Sequence, residues 1–269
     1  MFNMNINLKF LLCGAAVWLF PQYAVAQCAV TDCQQLGYTF LQKCDNGLKC
    51  PFGEYWACPK VEEKAVLGEC TGYAKNCKIG DILNSDGICS NDKLSGKTPI
   101  GVVIYIGVDN CGQAVTLTDI ASSPWAGNSD GIAYYGLDIP SLPNLDLAEA
   151  QIDYNSCGNT SLIKQSGNEK AYPAAWRAAD YAPAGAPETK GKWCLPAAGV
   201  TQKIIDNYEA VNAGLVSAGG QSLNERTWYA TSSEYNNTHY WRFYNIPRRE
   251  LDRSDGKYSA ATIRSVIEF

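Results

Sequence analysis

The chain has 269 residues, with 22 basic and 27 acidic side chains, a single histidine and a net charge of −5. The two signs are interleaved, so no basic stripe forms, and nucleic acid and anionic membranes are excluded as expected partners on electrostatic grounds. Sixteen tyrosines and seven tryptophans favour folded, β-rich structure over disorder.

In chain order, Lys9 precedes an apolar run from Phe10 to Phe20, and Ala24-Val25-Ala26 before Gln27 has the small-residue pattern of a cleavage site. This reads as a signal peptide over residues 1–26. The run of 11 residues falls short of the roughly 20 that a spanning helix needs, so no anchor is expected. No later stretch is apolar enough to span a bilayer either. The expected location is secreted, periplasmic or at the cell surface.

Eleven of the twelve cysteines follow this segment, and in an oxidising compartment ten are expected to pair, leaving one over. Seven of them (Cys28, Cys33, Cys44, Cys50, Cys58, Cys70 and Cys77) crowd into 50 residues that hold few aliphatics. Such a segment cannot bury enough apolar surface alone. Residues 27–77 therefore read as a small disulfide-rich module, linked mainly within itself. A zinc site is the rival reading, but the pairs Cys44/Cys50 and Cys70/Cys77 are spaced too widely for a zinc knuckle and no His lies among them. No metal and no cofactor are expected.

Residues 78–269 form the second expected domain, large enough for its own core. Pro99–Ile106 and Gln113–Thr118 read as two strands joined by Asp109-Asn110-Cys111-Gly112, a hairpin. Asp146-Leu-Ala-Glu149 has the form of a capped helix start, and Pro173 suits the first turn of an Ala-rich helix from Tyr172 to Tyr181. Helical spacing of Ile204, Ile205, Tyr208, Val211 and Leu215 predicts one helix from about Thr201 to Leu215, stopped by Gly219-Gly220. Thr238–Tyr244 alternates so that Trp241 and Phe243 share one face, predicted to be core, while Tyr240, Arg242 and Tyr244 share the other. Thr262–Phe269 reads as a final strand. The class is α+β.

Several phrases in this second domain resemble a known family. They are Ile79–Leu83, Gly96–Val103, Gly191-Lys-Trp-Cys-Leu-Pro-Ala197, Asn212 in its helix, Tyr229-Ala-Thr-Ser-Ser-Glu-Tyr235, Trp241 and Ile263–Phe269. In that order they are similar to the C-terminal domain of bacterial collagen-like surface adhesins, which has a C-type-lectin-like fold related to formylglycine-generating enzymes. The chain departs from that family at Ala230, where a Trp is usual, and at Ser265, where a Pro is usual. The resemblance implies a C-type-lectin-like domain preceded by an unrelated cysteine-rich module, with irregular loops that bind ligands.

Catalysis is not expected. No cysteine follows Cys194 to supply a late copper-binding pair, and the lone His239 stands in a strand without a Gly-x-Ser-x-Gly turn. Residues Glu234–Tyr258 are instead dense in Tyr, Asn and Arg, which supply rigid contact area, adaptable hydrogen bonds and planar forks for carboxylate or sulfate. The candidate ligand-binding residues are Asn237, His239, Tyr240, Arg242, Tyr244, Arg248, Arg249, Arg253 and Tyr258. The expected function is recognition of an extracellular glycan or surface protein. The alternatives are a structural subunit of a surface appendage and an enzyme-like domain of the same fold with unidentified chemistry.

Overall fold

The computed structural model describes residues 64–127, 138–224, 226–244 and 249–269, together with two short paired strands, β1 (Thr39–Leu41) and β2 (Tyr55–Ala57). The expected signal peptide, Cys28, Cys33, Cys44, Cys50, Cys58 and Arg248 lie outside the described residues. The chain divides into two compact units, Met1–Glu63, which carries the β1–β2 pair, and Lys64–Phe269.

The second unit is α+β, with two sheets and few helices. The six-stranded sheet has the order β4-β3-β5-β6-β13-β8, from β3 (Ile82–Asn84), β4 (Cys89–Ser90), β5 (Pro99–Ile106), β6 (Gly112–Thr116), β8 (Trp193–Cys194) and β13 (Val266–Glu268). The five-stranded sheet has the order β11-β10-β9-β12-β7, from β7 (Ala121–Pro124), β9 (Trp228–Glu234), β10 (Tyr240–Tyr244), β11 (Glu250–Arg253) and β12 (Ala260–Ile263). The predicted β5–β6 hairpin is present and antiparallel. Its β-branched residues Val102, Val103, Ile104 and Val115 are buried, as a strand covered on both faces requires.

Among the described residues there are five α-helices: α1 (Leu147–Ala150), α2 (Ser156–Ser166), α3 (Pro173–Asp180), α4 (Ala198–Asp206) and α5 (Tyr208–Ser217). Asp146 and Glu149 close a reciprocal capping box on α1, and Pro173 opens α3. The single helix predicted from Thr201 to Leu215 is two, broken at Asn207. There the Asn207 side-chain amide donates to the Lys203 carbonyl at 2.9 Å, a local bond that competes with the helical ladder. The break leaves the apolar stripe intact, since Ile204, Tyr208, Val211 and Leu215 are all buried. Helix α4 contacts β5 of one sheet and β9, β10 and β11 of the other, so the stripe fills the space between the sheets. Helix α5 approaches β3 closely: a Cβ on Gly214 would run into the Gly80 carbonyl, and only glycine fits.

The predicted final strand is also two. Residues Ala260–Ile263 belong to the five-stranded sheet and Val266–Glu268 to the six-stranded one, so the chain changes sheet at Arg264-Ser265. The buried Arg264 holds this corner through Asp119 at 2.9 Å and the Gln221 carbonyl at 2.6 Å, and Ser265 donates to the Ala178 carbonyl.

Three disulfides tie the rim of the six-stranded sheet: Cys77–Cys89 at edge strand β4, Cys157–Cys194 between α2 and edge strand β8, and Cys70–Cys111 at the β5–β6 hairpin. Cys70 and Cys77 thus bond to cysteines beyond residue 78 and not to others of the 27–77 segment. The compact unit already starts at Lys64, and Ala65, Leu67, Tyr73 and Ala74 are built into its core.

Candidate functional site

Strands β9, β10 and β11 carry the predicted contact residues. Cross-strand partners share a face, so Trp241 and Phe243 lie with Tyr229 and Leu251, and Tyr240, Arg242 and Tyr244 lie with Ala230, Trp228 and Glu250. The predicted alternation is observed, and Trp241 and Phe243 are core. The second face, however, is covered as well. Tyr240 is fully buried and stacks on Trp125 with ring centroids 5.6 Å apart, and its phenol pKa is pushed up by burial. Arg242 is only 4% exposed, its guanidinium 3.6 Å from the Trp228 ring centroid and 3.2 Å from Asp255. Alternation reports which side chains share a face and not whether a second layer covers it. Neither Tyr240 nor Arg242 is therefore available on the surface.

The remaining described candidates lie in separate places. Tyr244 is half-buried and lies beside Trp228, ring centroids 4.3 Å apart, forming with it a partly exposed aromatic pair. Arg249 turns to the opposite face, where it stacks on Tyr208 at 3.8 Å and meets Glu209 at 3.2 Å. The turn between β9 and β10 presents an exposed Asn237, with a half-buried His239 beside it. Arg253 on β11 is exposed and Tyr258 is half-buried.

The turn is built on Asn236, whose Oδ1 accepts from the Thr238 amide at 2.9 Å, the Thr238 hydroxyl at 2.9 Å and the His239 amide at 2.8 Å. This is the local side-chain bonding that favours Asn in turns. The His239 Nδ1 faces the Thr238 hydroxyl at 2.7 Å. Burial, with Arg253 nearby, holds its imidazole below the usual histidine range. The one cluster of potential metal ligands among the described residues is Cys70, Asp109 and Cys111, and its two thiols are spent on each other as a disulfide.

Two features have no counterpart in the sequence patterns. One is an open groove of about 450 Å³ beside the Cys157–Cys194 disulfide, lined by Thr160, Lys164, Trp176 and Lys192, with Lys164 set over the Trp176 ring at 4.4 Å. The other is a wholly buried ion pair between Lys257 and Glu234. No residue pattern signals either of them, because Lys257 sits in a polar run, Arg253-Ser-Asp-Gly-Lys257, that reads as an exposed loop.

The fold has a solved counterpart. It is similar to a fimbrial protein from Bacteroides ovatus, with a TM-score of 0.53 and 15% identity, over 72% of this chain and 49% of that one. The match thus spans about half of the fimbrial chain, and at this identity it speaks for the fold. No protein-family model and no curated protein matches the sequence. The adhesin-domain resemblance therefore finds no counterpart among these comparisons.

Arg242 has a definite expected role in stability. Arg242→Ala removes the stack on Trp228 and the packing of a buried stem, but the carboxylate left behind, Asp255, is exposed and rehydrates. The expected loss is about 2 kcal/mol, read as a lowered urea midpoint at unchanged slope. A loss equal to that of an exposed control such as Arg226→Ala would show that the stack contributes nothing.

Proposed function

We propose that this chain is a structural subunit of a surface appendage of the fimbrial type. The observation that carries the reading is the shared fold with the Bacteroides fimbrial protein over 72% of this chain. Three disulfides suit an extracellular or surface setting, and among the described residues no helix is long and apolar enough to cross a membrane. The charged edge strand Glu250-Leu-Asp-Arg253 and the two-residue edges β4 and β8 discourage indiscriminate sheet pairing. Its part in the appendage is non-catalytic.

Immunogold labelling of the native host, with shearing of the surface material and sizing of the sheared fraction, tests this. Labelled filaments and a high-mass sheared fraction are expected. Recovery of the protein only as monomer, in the medium or the periplasm, would overturn the reading.

A second reading, recognition of an extracellular glycan or surface protein, is favoured by the part-exposed Trp228–Tyr244 pair and by exposed Asn237 and Arg253. Its direct probe is a glycan array with wild type and Tyr244→Ala. Binding lost in the variant at unchanged thermal stability would support it.

A further inference from the structure

We propose that Lys257 and Glu234 become joined by an intramolecular amide between the lysine Nζ and the glutamate side-chain carboxyl carbon, formed by the folded protein itself. The inference rests on the pair's own geometry and is independent of the appendage reading.

Glu234 is the last residue of β9, and Lys257 lies in the connection between β11 and β12. Nζ is in direct hydrogen-bond contact with Oε1, and both side chains are completely buried. One wall of the site is Trp125, whose ring centroid is 4.8 Å from Nζ and which is itself stacked on Tyr240. The backbones are fixed on each side. Lys257 donates to the Thr238 carbonyl at 2.8 Å and accepts from the Ala126 amide at 2.8 Å, while the Glu234 carbonyl accepts from the Leu145 amide at 3.1 Å. With both backbones anchored and both side chains enclosed, the amine and the carboxyl are held in contact, and such proximity is what makes an intramolecular reaction fast.

Burial also favours the reactive forms. It pushes the Glu234 carboxyl up to about 7 and the Lys257 amine down, in each case against the attraction between the two, so an acid and a free amine are accessible in place of two ions. The Nζ lone pair attacks the carboxyl carbon, the bond from that carbon to its hydroxyl breaks, and the hydroxyl leaves with an amine proton as one water. No oxidant or co-reactant is required. The product replaces a desolvated ion pair, which is costly to hold in a core, by a neutral amide. It clamps the end of β9 to the connection before β12.

The test is mass spectrometry of the mature wild-type protein after reduction and alkylation. The expected intact mass is one water below that of the sequence from its observed N-terminus. Trypsin should yield a branched peptide joining residues 227–242 to residues 254–264, uncut after Lys257. Lys257→Arg, which keeps a cation but lacks the amine, should yield residues 227–242 as a linear peptide and be cut after position 257. Full sequence mass with cleavage after Lys257 in the wild type would show a simple ion pair and overturn the proposal.

Discussion

Trp241→Ala is expected to destabilise the second unit by about 3–5 kcal/mol, a large part of the roughly 5–15 kcal/mol that holds a domain folded. The indole is 6% exposed, stands edge-on to Tyr235 at 5.3 Å and donates through Nε1 to the Leu145 carbonyl at 3.0 Å. Truncation therefore opens a cavity in the cluster between the sheets and also takes its donor from the part-buried Leu145 carbonyl. Phe243→Ala is expected to lose a comparable amount by cavity formation alone, since its ring is 1% exposed and stacks on Tyr229. Urea titration followed by tryptophan fluorescence and far-UV circular dichroism would measure both. A loss under about 1 kcal/mol in either variant would mean that the site collapses without a cavity, contrary to close packing.

The second large effect belongs to the Cys157–Cys194 disulfide. Its loop spans 37 residues, for which the chain-entropy account gives about 4 kcal/mol. The bond joins α2 to β8, an edge strand of two residues whose ladder partner is β13. The ladder to β13 and the buried Trp193 hold the strand as well, but the disulfide is its covalent tie to α2. The double variant Cys157→Ser, Cys194→Ser should thus unfold at much lower urea, and amides of β8 should exchange faster than those of β5. The Cys77–Cys89 pair closes a loop of only 12 residues, and its removal should cost less, about 3 kcal/mol. Equal stabilities of the wild type and the Cys157/Cys194 variant would show that reduction leaves this edge in place.

Sequence alone determined those features that depend on near neighbours. The β5–β6 hairpin follows from its β-branched run and Asn-Cys-Gly turn, the α1 cap from Asp146 and Glu149, the start of α3 from Pro173, and the sharing of a face by Trp241 and Phe243 from a period of two. Features set by neighbours from other parts of the chain were settled only by the tertiary structure. Arg242 and Tyr240 read as outward-facing, yet Trp228 and Trp125 cover them, from β9 and from just beyond β7, and sequence periodicity carries no information about that cover. Lys257 reads as a loop cation, yet it is buried against Glu234, 23 positions earlier in the chain. The change of sheet at Arg264 has the same origin, because Asp119 and the Gln221 carbonyl, distant in sequence, fix where the chain must turn. The helix break at Asn207 is local instead, set by the bond of its side chain to the Lys203 carbonyl, and a period of 3.6 passes over it because the apolar stripe continues.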